Sequence, residues 1–311
     1  FFVSVETPFF YSSLLLSSKH NHRDYPEKVK SKLQSMHSFL DNRSGDWKGC
    51  LHTSLKLLRE SWATQWVGLP FVVDACANFL DLKATTLTED GAKFLAVARE
   101  VALLIEADSS RSPSSEEPHY HNRLHFADVL TTVTLQAAIE SGRSNLGDKQ
   151  WQAALILIAL AHDFQHPGRV NHHVAEIEQL SVDALRPHLK THAVPDLWIK
   201  RIEHVILSSD FALVSKNHAR VAGKSFAWNV DWAIVLINEA DVMASVSEAF
   251  GSELGFALAS EWATASLPMH SSVATDQGRL DFLASTFFSS YSAAVLGAPI
   301  ERLKQLGGHR K

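Results

Sequence analysis

Apolar side chains recur at spacings of three and four residues along most of this chain, the repeat of an α-helix with one buried face. No stretch shows the alternation of apolar and polar residues that is typical of a half-buried β-strand. Ten helices are predicted, at residues 51–66, 70–82, 91–107, 123–140, 150–161, 175–189, 197–208, 230–250, 253–265 and 279–296. The chain is therefore predicted to be all-α, a bundle of many helices.

The sequence divides into a polar N-terminal stretch and a longer helical region. Residues 1–48 are predicted to be an extension with one short helix at about 27–40, because residues 17–48 are polar and rich in turn-forming residues. The chain begins at Phe1 without an initiator Met, so we expect a fragment end here. Residues 49–311 are predicted to form one domain, since 46% of the chain is hydrophobic and can fill a large core.

Three polar stretches between the predicted helices are predicted to be loops, at residues 109–118, 142–148 and 216–225. The first is a low-complexity run of Ser, Pro and Glu that directly precedes a histidine-rich segment. Two interpretations of it stay open. It is either an insertion or a flexible flap beside a functional site.

Charge and cysteine content restrict the partners and the compartment. The net charge of −5 and the lack of any Lys/Arg-rich run argue against a nucleic-acid partner and against a membrane surface. The longest apolar stretches, such as residues 155–161, are too short to span a membrane. Only Cys50 and Cys76 are present, so a reducing compartment is favoured and a cytoplasmic location is expected.

Histidine and aspartate residues recur beside apolar helices. His121 and His125 are four residues apart, which places both on one face of a helix. His162 and Asp163 follow the almost wholly apolar helix predicted at 150–161, and Asp241 ends another apolar run. Polar groups at such positions must be satisfied by a metal ion or by hydrogen bonds. Because imidazole and carboxylate together suit a divalent cation that makes hydroxide near neutral pH, we predict a metal-dependent hydrolase. The candidate ligands are His125, His162, Asp163 and Asp241.

Four motifs follow one another in the order seen in a known family. They are Tyr120-His121-Asn122-x-x-His125, His162-Asp163-x-x-His166-Pro167-Gly168-x-x-Asn171, Leu207-Ser208-Ser209-Asp210 and Ala240-Asp241. With these motifs the chain resembles the catalytic domain of class I 3′,5′-cyclic nucleotide phosphodiesterases, within the HD phosphohydrolase superfamily. The resemblance covers about residues 50–300, with its specific motifs mostly within 119–245. It implies an HD-type helical bundle and a role in signal transduction.

The resemblance implies two divalent metal ions. The tighter one, usually zinc, would be held by His125, His162, Asp163 and Asp241. Asp163 would also bridge to the second, usually magnesium or manganese, and His166 would order the waters around it.

The resemblance makes His121 the general acid that protonates the leaving 3′ oxygen, rather than a metal ligand. Glu176 would bond to the water network and, as a nearby carboxylate, keep His121 charged; Glu178 is the competing assignment. The alternative for His121 is a structural role beside the metal site.

Family members read the purine edge with a Gln and stack a Phe, three residues later, on its face. Gln277 is the nearest match to this Gln, but Leu280 stands where the Phe is expected. Phe282 or Phe287 is predicted to supply the missing aromatic ring, and Tyr120 is a further predicted substrate contact. Gln277 can equally be interpreted as an ordinary residue at the start of a helix.

The function predicted from the sequence is hydrolysis of 3′,5′-cyclic nucleotides, cAMP, cGMP or both, to 5′-monophosphates. The nucleophile would be a hydroxide that bridges the two metals. One alternative is an HD-type phosphohydrolase that acts on another nucleotide or small phosphoester. A second is a non-catalytic metal-binding module.

Overall fold

The computed structural model describes residues 39–42, 44–111, 117–144, 147–263, 270, 273–284, 286 and 288–298. This part of the chain is helical and contains no β-strand, which confirms the all-α prediction. Its twelve α-helices are α1 (Trp47–Thr64), α2 (Leu69–Phe79), α3 (Glu89–Arg111), α4 (Arg123–Ser144), α5 (Lys149–Ala161), α6 (Glu176–Thr191), α7 (Asp196–Leu207), α8 (Val214–Val221), α9 (Val230–Met243), α10 (Gly251–Trp262), α11 (Asp276–Ala284) and α12 (Tyr291–Val295).

Helix α4 lies at the centre of the bundle and packs against α1, α2, α5, α9 and α12. Helix α5 is apolar on every side, and all its residues from Trp151 to Ala161 are buried. A helix without a polar face is stable only inside a protein, so the sequence of α5 itself accounts for its place in the core. Helix α9 is likewise buried from Trp232 to Ala240. The N-terminal end of α4 and the C-terminal ends of α5 and α9 carry the histidine and aspartate residues discussed below.

An ion pair inside the bundle joins α1 to α4. The Arg59 guanidinium donates two hydrogen bonds to the carboxylate of Asp128, at 3.0 and 2.8 Å. The arginine also lies over the ring of Phe250, 4.3 Å from its centroid. Burial raises the pKa of Asp128, and the charge of Arg59 opposes this shift. Because removal of one partner leaves a buried charge, this pair is a point where the bundle is sensitive to mutation.

The segment predicted as a loop at residues 216–225 is mostly helical, because α8 covers Val214–Val221. The prediction was wrong because the buried face of α8 is partly polar. The buried residues of α8 follow helical spacing and are Val214, Asn217, His218 and Val221. The Asn217 amide donates to the Ser208 carbonyl at 2.8 Å and to Asn238 at 3.0 Å, so a polar residue is accommodated in the interior.

Two long predicted helices are shorter than expected. The helix predicted at 230–250 ends at Met243 and continues as a 3₁₀ turn over Ala244–Val246. The helix predicted at 279–296 is divided into α11 and α12. Ser290 caps α12 by accepting the Ala293 N–H, while the buried Glu239 carboxylate accepts the Ser289 and Ser290 N–H groups. Tertiary partners therefore replace the helical hydrogen bonds at this break.

The remaining boundaries differ at the helix ends. Helix α3 extends into the stretch predicted as a loop, to Arg111, and α4 extends to Ser144. Two predicted segments lie mostly outside the described residues, the short helix at 27–40 and the centre of the loop at 109–118, because residues 1–38 and 112–116 are not described. The domain boundary at residue 48 therefore stays a prediction. Phe39 is buried, and its carbonyl accepts a hydrogen bond from Ser54 of α1. A search of the described helices found none with the length and apolar character needed to cross a membrane.

Candidate metal centre

Three helix ends bring the predicted metal ligands together. His125 lies in the first turn of α4, His162 and Asp163 directly follow α5, and Asp241 lies in the last turn of α9. The side chain of Asn122 accepts the Leu124 and His125 N–H groups, at 2.9 and 3.2 Å, and so caps α4. The motif asparagine thereby orients the first turn, which carries His125.

The four ligand atoms face one another across a small space, all within 4.8 Å. Nε2 of His125 lies 3.3 Å from Oδ2 of Asp163 and 3.1 Å from Oδ1 of Asp241. Nε2 of His162 lies 3.1 and 3.6 Å from the same two oxygens. Such separations match the ligand–ligand edges expected around a cation with bonds of about 2.0–2.2 Å. The structure therefore brings together all four predicted ligands.

The histidine nitrogens supply the test of whether a cation fits. His125 Nε2 and His162 Nε2 are both buried and have no hydrogen-bond partner among the residues that the structure describes. Nδ1 of His162 contacts the Ala159 carbonyl at 2.9 Å and must donate there, so in the neutral ring the lone pair on Nε2 points into the cluster. Two orphaned nitrogens beside two carboxylate oxygens form the donor set of a zinc-type cation.

The carboxylates control the protonation of these histidines. Burial by itself would lower the pKa of His125, but Asp163 and Asp241 outweigh it and raise this pKa to about 9. The pKa of His162 is raised for the same reason. Burial would raise the pKa values of Asp163 and Asp241, yet the histidines hold both below the usual range. A metal must therefore displace protons from the two imidazoles.

His121 lies beside this cluster, in the turn that precedes α4, and not on the helix itself. Its Nε2 is 3.9 Å from Oδ2 of Asp163. Its Nδ1 makes a short contact with Oε1 of Glu261, a residue of α10. The other oxygen of Glu261 accepts the N–H groups of Tyr120 and His121, at 2.8 and 3.0 Å. The imidazole is thus fixed with Nε2 toward the metal cluster.

Glu261 was missed in the sequence, and it takes the place predicted for Glu176 as the carboxylate beside His121. Burial would raise the pKa of Glu261, but the charge and hydrogen bond of His121, with two backbone N–H groups, lower it to about 2. One signal was available. Glu261 is an acid on the buried face of α10, three residues after Leu258 and seven after Leu254.

Glu176 has hydrogen-bond partners other than His121. Its carboxylate binds Arg169 and accepts the His172 N–H at 2.8 Å. The competing residue, Glu178, lines the cavity and accepts a hydrogen bond of 2.9 Å from Asn171. Burial raises the pKa of Glu178 to about 7. The two residues differ because positions two apart on a helix face different directions.

His166 is the last motif histidine. Its ring stacks on His121 with centroids 3.7 Å apart, and its Nδ1 accepts the Gly168 N–H at 3.1 Å. Burial, followed by the charge of His121, lowers the pKa of His166 to about 3. Gly168 has a φ of 68°, which allows the chain to turn tightly after the motif.

A cavity of about 440 Å³ opens beside the cluster. Its polar lining includes Tyr120, His121, His162, Asp163 and Asp241. Its apolar lining includes Val174, Phe211, Leu258, Trp262 and Phe282. A cavity that combines a few polar groups with apolar surface is typical of sites for small organic molecules.

The predicted substrate contacts are only partly at this cavity. Tyr120 and Phe282 line it, and the ring of Phe282 stacks on Phe211 with centroids 4.8 Å apart. The alternative to Phe282, Phe287, lies outside the described residues. Gln277 is exposed, does not line the cavity and donates to Asp281 of its own helix at 2.9 Å. Gln277 and Phe282 are five positions apart on α11, so they project from different sides of the helix. The prediction of Gln277 as purine reader therefore does not agree with the structure.

A scan of protein-family models returned no match to this chain. A search among curated proteins returned none either.

Proposed function

We propose that this chain is a metal-dependent phosphodiesterase that hydrolyses 3′,5′-cyclic nucleotides to 5′-monophosphates. The observation that carries the proposal is the pair of orphaned nitrogens on His125 and His162, which face two carboxylates beside the fixed imidazole of His121. His121 and three of the four candidate ligands, His162, Asp163 and Asp241, thus line one cavity.

The ligand chemistry supports zinc at the four-residue site. His125, His162, Asp163 and Asp241 would hold it, and Asp163 would also hold a second ion such as magnesium or manganese. When bound, the two cations supply an activated water and neutralise charge on the phosphoryl oxygens.

His121 carries the proton in the proposed reaction. Glu261 occupies Nδ1, so the transferable proton is on Nε2, the nitrogen that faces Asp163 and the cavity. As the oxygen of a water forms a bond to phosphorus, the P–O3′ bond breaks and the Nε2 proton moves to the departing oxygen. The proton lost by the attacking water restores His121. Glu261 keeps the ring in one orientation throughout.

The position of Gln277 favours a second candidate function. With no amide from Gln277 in the cavity, the same centre is suited to a phosphoester whose organic part is bound mainly by apolar contact. The candidate is hydrolysis of another nucleotide or small phosphoester.

The test is turnover of cAMP, cGMP and bis(p-nitrophenyl) phosphate with defined zinc, magnesium and manganese. We expect hydrolysis of at least one cyclic nucleotide to its 5′-monophosphate. Turnover of the generic ester alone would support the second candidate, and turnover of none would contradict both.

Variants separate the proton donor from the metal ligands. His121→Ala should retain the metal and lose about 10²–10⁴-fold in rate, whereas Asp163→Ala should lose the metal itself. His119→Ala is the matched control, because His119 is an exposed histidine two residues before His121. Unchanged rates in both site variants would exclude the mechanism.

A further inference from the structure

A second set of metal-binding side chains lies next to the first. One ligand atom from each of His121, His166 and Glu261 lies within 4.8 Å of the others. Two histidines and one glutamate form a common zinc-binding set in proteins. Both histidines line the cavity, so an ion can reach them from solvent.

We propose that His121, His166 and Glu261 form an inhibitory site for a transition-metal cation, zinc above all, that fills when the metal is in excess. The proposal rests on the proposed function in one respect, since the inhibition follows from the role of His121 as proton donor.

The carboxylate of this set is already positioned. Two backbone N–H groups, from Tyr120 and His121, hold Oε2 of Glu261. Oε1 is thereby directed to Nδ1 of His121, and it lies 4.0 Å from Nδ1 of His166. A ligand held by the backbone loses little freedom on binding a cation.

The imidazole lone pairs are available at the same place. Nδ1 of His166 accepts a hydrogen bond from the Gly168 N–H, so this nitrogen carries a lone pair and no proton. Nδ1 of His121 shares its proton with Glu261. A cation that replaces this proton gains the His121 nitrogen and the Glu261 oxygen together, and it takes the His166 lone pair from Gly168.

The site should bind metal more weakly than the four-residue cluster. It offers one carboxylate, whereas the cluster offers the two of Asp163 and Asp241. Binding also displaces the proton of His121 and breaks the hydrogen bond from Gly168. Moreover, His121 is only 3.9 Å from Asp163, so a cation in the cluster repels a further one. The cluster therefore fills first. Zinc in excess then replaces the Nδ1 proton of His121, and the zinc-bound ring gives up its Nε2 proton less readily than an imidazolium paired with Glu261, so the reaction slows.

The experiment uses the full chain, loaded with the metals that support hydrolysis. Bound zinc is measured by equilibrium dialysis over a range of buffered free zinc, and cAMP hydrolysis is measured in parallel. We expect one further equivalent of zinc to bind over the range in which the rate falls. Lowering free zinc again should restore the rate.

Two variants test the ligands by metal content, which does not depend on turnover. His166→Ala and Glu261→Gln should each weaken binding of the further equivalent by more than about tenfold, with the first equivalents retained. His172→Ala is the control, because His172 is an exposed histidine at the cavity that lies outside the set, and it should keep the further equivalent. Thermal unfolding midpoints show that the variants fold.

The outcomes separate this site from the proposed function. The site would be overturned if the wild type binds no further equivalent of zinc. It would also be overturned if His166→Ala and Glu261→Gln both bind that equivalent as tightly as the wild type. If the wild type hydrolyses no cyclic nucleotide, but the two variants still lose the further equivalent, the metal site stands and the proposed function fails.

Discussion

At the scale of single residues, the two histidines of the first motif have different surroundings despite their spacing. His125 is in α4 and faces two aspartates, whereas His121 precedes the helix and is held by Glu261. The sequence spacing predicted one helical face for both. Because α4 begins at Arg123, contact with Glu261 and not helical geometry sets the orientation of His121.

Glu261→Gln should lower the rate of hydrolysis by about 10–100-fold with little change in KM. The metal ion at the four-residue site should be retained. The amide preserves the shape but removes the charge that pairs with His121. Steady-state kinetics and metal analysis measure both effects. The control is Glu253→Gln, at an exposed glutamate of the same helix. Equal rates for Glu261→Gln and the wild type would contradict a positioning role.

At the scale of helices, buried polar contacts connect neighbouring helices in a defined position, because hydrogen bonds are directional and apolar contacts are not. Arg59 and Asp128 join α1 to α4, and Glu239 joins α9 to α4 and to the start of α12 through Gln136 and Ser290. Asp128 is one turn after His125, so the first contact also steadies the helix that carries a candidate metal ligand.

Arg59→Met should lower the free energy of unfolding by about 3–5 kcal/mol, because the carboxylate of Asp128 is then buried without a partner. Denaturant unfolding gives this value. The double variant Arg59→Met with Asp128→Leu should recover much of the loss, since both charges are then absent. Equal stability of the single and double variants would argue against a buried-charge effect.

Glu239 predicts a pH dependence of stability. Burial, opposed by hydrogen bonds from Ser290 and Ser289, raises the pKa of Glu239 to about 7. An unfolded glutamate ionises near about pH 4.3. The native state thus favours protonated Glu239. The contribution of this residue to the free energy of unfolding is complete below about pH 4 and is lost as the pH rises through about 7. The loss is on the order of 3 kcal/mol.

Glu239→Gln should flatten this pH dependence. Within the described part of the chain the Oε1 atom of Gln136 is buried without a hydrogen-bond partner, so the Gln136 amide can turn and accept an N–H from the new side chain. Unfolding free energies at about pH 5 and about pH 8 are the measurement. A slope equal to that of the wild type would show that Glu239 does not titrate in this range.

At the scale of the whole molecule, the candidate metal site of His125, His162, Asp163 and Asp241 links α4, α5 and α9 inside the bundle. Zinc that binds only the native state should therefore stabilise the fold, by about 2.7 kcal/mol at 100 times its Kd. The expected rise in Tm is about 4 °C for a chain of 311 residues.

The stabilisation by zinc should depend on pH. Asp163 and Asp241 raise the pKa of His125 to about 9, so without metal the histidines stabilise the fold fully below about pH 6.5 and lose this contribution as the pH rises through about 9. Zinc displaces these protons, so it should raise Tm more at about pH 8 than at about pH 6. Scanning calorimetry with zinc and with a chelator measures the Tm shift at each of the two pH values. A shift that is equal at the two pH values would argue against binding by these histidines.

The sequence by itself determined the all-α class, most of the helices and the four histidine and aspartate residues that meet in the candidate metal site. Helical periodicity is a local property of the chain, and a polar pair such as His162-Asp163 after an apolar helix carries its own physical signal. Only the tertiary structure decided the partner of His121, because Glu261 is 140 residues away and reaches it through the packing of α10. It also decided that Gln277 does not line the cavity and that α8 buries polar side chains. These outcomes depend on which helix faces meet, and no local pattern contains that information.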